Sequence, residues 1–246
     1  MNAFITGGSR GIGRSIVLKM VEKGCDCAFT YLGNRDGALE TIRLAKEIRP
    51  EARIQEYQLD VSKSAEVERI VDQAIEDFED IDILVNNAGI VRNNAAVMMT
   101  DEEWYSVIGT NLTGPFFMVR SFLMHFLSNR RGRIINISSL AQNGSSGQVS
   151  YAASKAGLIG LTNTVAREYG SKGITANIVV VGYVETDMTQ TSFPEELHEI
   201  WMKYCPMRRV GKADEIASLV HYLTTEEAGF INGEIIRVSG GLTYAP

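Results

Sequence analysis

Two hydrophobic periods trade places along this chain from one end to the other. Short apolar runs occur at Ala3–Thr6, Cys27–Tyr31, Ile54–Leu59, Ile83–Asn86, Arg133–Ile137, Thr175–Val181 and Ile235–Val238. Longer amphipathic stretches separate them, clearest at Gly13–Glu22, Gly37–Ile48, Ser64–Phe78, Glu102–Leu127, Tyr151–Glu168 and Lys212–Thr224. Parallel strands need a crossover, and a helix is the usual one, so this alternation predicts a parallel sheet with helices on both faces. Right-handed crossovers collect the carboxyl ends of the strands on one edge, where a ligand crevice forms. The expected fold is therefore an α/β three-layer sandwich on a seven-stranded parallel sheet. No repeat, low-complexity tract or linker interrupts the 246 residues, which read as one domain, 1–246.

The first crossover carries a chemical signal. Ala3-Phe4-Ile5-Thr6 leads into Gly7-Gly8-Ser9-Arg10-Gly11-Ile12-Gly13 and then the amphipathic run from Arg14 to Lys23. Glycines permit a tight turn and close backbone approach to a pyrophosphate, and the following helix presents unpaired N–H groups to an anion. The spacing is wider than in a plain G-x-G-x-x-G loop. Its placement between strand and helix favours dinucleotide binding over an ordinary turn. A second signal is Tyr151 followed by Lys155. Residues four apart on a helix share one face. An ammonium beside a phenol favours the phenolate and lowers a pKa that is ordinarily about 10. A tyrosine tuned in this way can exchange a proton with a substrate oxygen. Such a pair is common by chance, but Ser138 stands at the end of an apolar run upstream and adds a hydroxyl donor.

Taken in order, Thr6-Gly7-Gly8-Ser9-Arg10-Gly11-Ile12-Gly13, Asn86-Asn87-Ala88-Gly89, Asn111, Ser138 and Tyr151-x-x-x-Lys155 resemble the short-chain dehydrogenase/reductase family. The resemblance runs from Thr6 to Gly241. It implies a Rossmann-type sandwich and a nicotinamide cofactor, with no metal. It implies that Ser138 positions a substrate carbonyl oxygen and that Tyr151 protonates it. Lys155 would hold the nicotinamide ribose and lower the Tyr151 pKa. Asn111 would kink its helix and hold, through its main-chain carbonyl, a water that relays protons. Gly7, Ser9, Arg10, Gly11, Ile12 and Gly13 would cradle the cofactor. Asp60 would accept from the adenine with the Val61 backbone beside it; a helix cap, which Ser62 could also supply, is the alternative reading of Asp60. Asn87, Ala88 and Gly89 would pack on the adenosine. Val184 and Thr186 would lie at the nicotinamide end.

The residues after the second strand bear on cofactor choice. Folds that prefer NAD place an acid there for the ribose 2′-hydroxyl. Here the run is Phe29-Thr30-Tyr31-Leu32-Gly33-Asn34-Arg35, with no acid before Asp36. Arg10, Asn34 and Arg35 suit a 2′-phosphate instead, so NADPH is the expected cofactor.

Within the family, the chain is most similar to reductases of 3-oxoacyl thioesters carried on acyl carrier protein. Gly147-Gln148-x-x-Tyr151, Gly173-Ile174-Thr175-Ala176-Asn177 and Glu185-Thr186-Asp187-Met188 carry that likeness, together with Val238-Ser239-Gly240-Gly241. It implies an acidic carrier as partner, in fatty-acid or polyketide-type synthesis. Arg130, with Arg131 and Arg133 nearby, and Lys172 would form its basic dock. It also implies a homotetramer. An alcohol dehydrogenase acting on a small ketone, sugar or steroid is the alternative. A non-catalytic scaffold is a third reading, opposed by the intact Ser138, Tyr151 and Lys155. Val181-Gly182 stands where the family has Pro-Gly. Thr189 to Met207 reads as a substrate lid.

Composition narrows the partners further. The net charge is −6 and the pI about 5.2. That argues against nucleic acid and anionic membrane. No run is long enough to span a bilayer. The glycine loop begins at once, which leaves no room for a signal peptide. Cys25, Cys27 and Cys205 read as free thiols, and the expected location is the cytoplasm.

Overall fold

Seven strands lie side by side in the order Ile54–Gln58, Asp26–Tyr31, Asn2–Ile5, Ile83–Asn86, Gly132–Ser139, Ile174–Val181 and Ile235–Val238, all parallel. In chain order the elements are β1 (Asn2–Ile5), α1 (Gly11–Glu22), β2 (Asp26–Tyr31), α2 (Arg35–Ile48), β3 (Ile54–Gln58), α3 (Ser64–Phe78) and β4 (Ile83–Asn86). Then follow α4 (Asp101–Ile108), α5 (Gly114–Asn129), β5 (Gly132–Ser139), α6 (Val149–Tyr169) and β6 (Ile174–Val181). The chain closes with β7 (Val184–Glu185), α7 (Glu195–Tyr204), β8 (Gly211–Lys212), α8 (Ala213–Thr224) and β9 (Ile235–Val238). The computed structural model describes residues 1–185 and 195–245, without the side chains of 195–197. The fold is the expected α/β sandwich.

Period-2 alternation assigns each strand's side chains to opposite layers. Ala3 and Ile5 of β1, Phe29 of β2, Ile83 and Val85 of β4 and Ile135 of β5 face one layer. There they meet Ile16, Val17 and Met20 of α1 and Ile216 and Val220 of α8. Phe4, Ala28, Leu84 and Ile134 face the other, against Val67 and Val71 of α3 and Phe122 and Phe126 of α5. The Phe4 and Phe122 rings approach to 5.3 Å between centroids at 59°. Each such fully buried side chain contributes about 1.5–3 kcal/mol of transfer free energy.

A buried polar chain crosses this apolar sheet. Asn86 Nδ2 donates to Asn136 Oδ1 at 2.8 Å, and Asn136 Nδ2 donates to Thr162 Oγ1 at 2.8 Å. It ties β4 to β5 and β5 to α6.

Two features depart from the expectation. The stretch Glu102–Leu127 is not one uniform helix: α4 and α5 are joined by a π turn at Gly109–Thr113. Gly114 explains the position of the break. A Cβ there would lie 2.9 Å from the Val61 side chain and 3.1 Å from its carbonyl oxygen, so the backbone approaches the β3–α3 connection closely. Second, β7 and β8 form a separate two-stranded parallel sheet. At two residues each they carry no period to read. Among the described residues, no helix is long and apolar enough to cross a membrane.

Candidate active site

A cleft of about 1530 Å³ opens along the carboxyl ends of the central strands. Gly7, Ser9, Arg10, Gly11, Ile12, Gly13, Asn34, Asp60, Val61, Asn87, Ala88, Gly89, Ser138, Tyr151, Lys155 and Val184 all line it. Arg35 and Asn111 do not, and Thr186 lies outside the described residues.

At one end the glycine loop forms a cradle. Gly7 and Gly11 have φ of +72° and +54°, in the region that favours glycine. A Cβ on Gly13 would fall 2.1 Å from the Gly7 carbonyl oxygen, so the α1 backbone closes directly onto the loop. The loop is held from behind. Arg14 Nη2 donates to the Ser9 and Gly37 carbonyls at 2.6 and 3.1 Å, and Thr41 Oγ1 donates to the Gly8 carbonyl at 3.0 Å. No side chain caps the start of α1, so its first N–H groups are left for a ligand. Arg10, exposed at that helix start, borders the same cleft.

Arg35 was expected to serve the same phosphate as Arg10, and it does not line the cleft. The Asn34 side chain accepts from Gly37 N at 2.9 Å and caps α2. The helix therefore begins at Arg35, two residues before the sequence suggested, and carries that side chain to the solvent. Asp60 does not cap α3. Its Oδ1 accepts from Ser62 N and Ser62 Oγ at 3.0 and 2.7 Å, a local turn at the cleft wall.

Asn87 braces the two sides of the cleft floor. Its Nδ2 donates to the Thr6 and Gly7 carbonyls at 2.9 and 3.1 Å. Asn111 is fully buried in the π turn. Its Oδ1 accepts from Ile90 N and its Nδ2 donates to the Ile90 carbonyl, both at 2.9 Å. Nδ2 also reaches Ser154 Oγ at 3.2 Å. The side chain thus clamps the segment after Gly89 to α6. A Cβ on Gly89 would lie 3.3 Å from Asn111 Oδ1 and 3.7 Å from Lys155 Nζ.

Ser138 and Ser139 end β5, two residues beyond the predicted limit at Ile137, in register with Val180 and Val181 of β6. The Ser138 hydroxyl donates to Gln142 Oε1 at 2.8 Å and lies 3.3 Å from the Lys155 carbonyl oxygen. Tyr151 and Lys155 share one face of α6. Lys155 Nζ donates to the Ile137 carbonyl at 2.8 Å and stands 5.7 Å from the centroid of the Tyr151 ring. Burial lowers the Lys155 ammonium to about 8. Burial raises the Tyr151 phenol above its ordinary value, and a hydrogen bond with the Ser139 hydroxyl works the other way. The expected lowering of this phenol by Lys155 is therefore reversed, because burial of the ring outweighs an ammonium directed at a backbone carbonyl.

The cleft also holds residues the sequence did not offer as catalytic or cofactor-binding. Ser139, Tyr183, Trp201, Gln148 and the segment Ile90–Ala95 line it. Tyr183 lies 5.4 Å from Trp201 between ring centroids, and its hydroxyl is 3.2 Å from His198 Nδ1. Trp201, within the stretch read as a lid, lies in α7 and lines the cleft, while residues 189–194 of that stretch lie outside the described residues. Val181 continues β6 where a proline was expected. Ile178 N donates to the Glu234 carbonyl just before β9 and Gly182 N to the Val238 carbonyl in it, so the ladder turns the intervening odd positions toward β5.

Residues 7–243 match a family model described as enoyl-(acyl carrier protein) reductase. The 3-oxoacyl-(acyl-carrier-protein) reductase FabG of Staphylococcus epidermidis is 39% identical over 242 residues, covering 98% of each chain. The enzyme of that name in Escherichia coli K12 is 38% identical over 241 residues, covering 98% of this chain and 96% of the other. Among solved structures, levodione reductase superposes with a TM-score of 0.93 at 30% identity, covering 98% of this chain and 96% of that one. The glycine cradle, the serine at the end of β5 and the Tyr151–Lys155 face thus occur in a chain that belongs to the short-chain dehydrogenase/reductase family of oxidoreductases.

Proposed function

We propose that this protein reduces the 3-oxo group of an acyl thioester on acyl carrier protein, with NADPH as reductant. The observation that carries the reading is geometric. One cleft joins an uncapped helix start and its glycine cradle to Ser138, Tyr151 and Lys155. The similarity to the FabG relatives supports the substrate class.

The residues present fit a nicotinamide dinucleotide. Gly7, Gly11, Ile12 and Gly13 would take the pyrophosphate, and Asp60 and Val61 the adenine end. Arg10, with no acid among the β2 residues that line the cleft, favours a 2′-phosphate. When bound, the dinucleotide supplies the hydride. As charge grows on the carbonyl oxygen, Tyr151 gives its proton to that oxygen, and the Ser138 hydroxyl donates a hydrogen bond to it. The raised phenol pKa keeps Tyr151 protonated at neutral pH, the form this direction of reaction needs. Lys155, near 8, exchanges protons close to neutrality and can return one to the phenolate.

Arg130 and Lys172 sit in adjoining turns: a Cβ on Gly173 would lie 2.3 Å from the Arg130 carbonyl oxygen. Arg131 is instead paired with Asp82 and Asp80, and Arg133 donates to the Gly132 and Gly173 carbonyls. The two exposed cations precede β5 and β6, on the sheet edge opposite Ser138. A β5 length separates them from it, about 26 Å at ~3.3 Å per residue. A carrier docked there faces a cleft only if a second copy supplies one, which favours the homo-oligomer.

The second reading, reduction of a small ketone, draws on the likeness to levodione reductase. NADPH oxidation with a panel of 3-oxoacyl thioesters, free cyclic ketones and sugars separates the two. Turnover of a cyclic ketone with none of any thioester would overturn the first.

A further inference from the structure

We infer that Gln142 is a positioning residue for Ser138, and that its amide decides whether the serine hydroxyl donates into the protein or into the cleft. The inference rests on the reading that Ser138 donates to a substrate oxygen.

Ser138 lines the cleft, and Gln142 stands behind it in the single turn Leu140–Asn143 that follows β5. Ser138 is 2% exposed and Gln142 8%. A serine hydroxyl has one proton and two lone pairs. That proton is taken by Gln142 Oε1 at 2.8 Å, with the Lys155 carbonyl oxygen at 3.3 Å as a second acceptor. Both are acceptors inside the protein. In this arrangement the hydroxyl has no proton left for a carbonyl in the cleft.

A glutamine amide carries a donor and an acceptor at nearly equivalent ends. Turning the Gln142 amide presents Nε2 to Ser138 Oγ in place of Oε1. The serine then accepts from Gln142 and directs its own proton to the substrate oxygen. Two donors in series polarise one another and strengthen the bond at the developing charge. The backbone beneath stays put. Ser139 Oγ accepts from Ala141 N at 3.2 Å, Leu140 is fully buried, and Asn143 Nδ2 donates to the Thr243 carbonyl at 3.2 Å. Only the amide needs to move. A methionine at 142 keeps the volume and offers no donor. A glutamate offers acceptors alone and holds the proton inward.

The test compares Gln142→Met and Gln142→Glu in the wild-type and Ser138→Ala backgrounds, using whichever carbonyl of the panel the wild-type chain reduces. Failure on thioesters then counts against the substrate reading and leaves this one open to trial. Gln142→Met is expected to lose about tenfold in kcat with KM within about twofold, the loss of one hydrogen bond made in the transition state. Gln142→Glu is expected to lose about a hundredfold near neutrality. In the Ser138→Ala background Gln142→Met should be silent, because nothing remains to position. Melting temperature and dinucleotide binding check the fold. Should Gln142→Met fail to melt cooperatively, Gln142→Asn replaces it, one methylene short of Ser138, with the same tenfold loss expected. A wild-type kcat for the uncharged variant, or an equal loss with and without Ser138, overturns the inference.

Discussion

Lys155 Nζ donates to the carbonyl oxygen of Ile137, the residue immediately before Ser138. One hydrogen bond therefore joins the lysine of α6 to the strand that carries the serine. It also buries an ammonium, and burial has a sign. The lysine falls from 10.5 to about 8. Between those values the unfolded chain holds a proton that the folded chain has released, so stability rises with pH across that window and is lowest below it. Lys155→Met removes the buried charge. It should abolish turnover yet raise Tm at pH 7 by about 2–4 °C, with the gain fading toward pH 10. Thermal scans of both proteins across pH measure this. A variant less stable at pH 7 than at pH 10, relative to wild type, would contradict it.

Tyr151→Phe removes the proton donor and little volume. A loss of at least ~10³-fold in kcat is expected, within the range of one positioned general acid, because the charge on the oxygen is left uncompensated. Dinucleotide binding, followed by fluorescence, should stay within about twofold of wild type. Substantial residual turnover would remove Tyr151 from the proposed chemistry.

Arg10 borders the cleft and Arg35 does not, which turns two similar cations into a controlled comparison. Arg10→Ala should raise KM for NADPH about tenfold or more and leave KM for NADH nearly unchanged, as loss of a charge-assisted phosphate contact predicts. Arg35→Ala should change neither by more than about twofold. Equal effects of the two substitutions would place the phosphate elsewhere.

Asn111→Leu opens the clamp on Ile90. It leaves the Ile90 N–H and carbonyl without their partner, at about 1–3 kcal/mol for each buried group. Tm should fall by at least ~4 °C, and kcat should fall with it because the segment beside Lys155 is released. Differential scanning calorimetry and steady-state rates read the two effects. An unchanged Tm would mean the clamp contributes nothing.

Arg130→Glu with Lys172→Glu should raise KM for a carrier-bound substrate about tenfold and leave a small thioester surrogate within about twofold. If the patch of one copy serves the cleft of another, mixing this double variant with a Tyr151→Phe chain, in hetero-oligomers, should restore part of the carrier-dependent rate. A KM rise shared by both substrates would argue against docking.

Much of the layering was readable because it depends on periods. Phe4 and Ile5 go to opposite faces of β1 as alternation requires, and the exchange of short and long apolar patterns yields the parallel sheet. Motif spacing also brought Gly7, Asn87, Ser138 and Tyr151 to the list of cleft residues. Other details depend on contacts between distant parts of the chain. The π turn at Asn111 follows from the closeness of Gly114 to Val61, which no local pattern announces. Arg35 is exposed at the start of α2 because Asn34 caps the helix, two residues before the apolar period suggests it begins. The rise in the Tyr151 pKa needs the burial of the ring, and a sequence shows spacing but not depth.

The buried line from Asn86 through Asn136 to Thr162 guards the assembly of the sheet. β4, β5 and β6 are nearly uniform in their apolar character, so hydrophobicity alone would tolerate one strand sliding against the next. A slide of one residue would send each asparagine to the opposite layer and strand its amide there, costing about 1–3 kcal/mol for every unpaired group. Since β5 also carries Ser138, an error of alignment there would displace the serine from the cleft by a full strand step. The amides thus serve as a proofreading device: only the alignment that builds the cleft lets them pair.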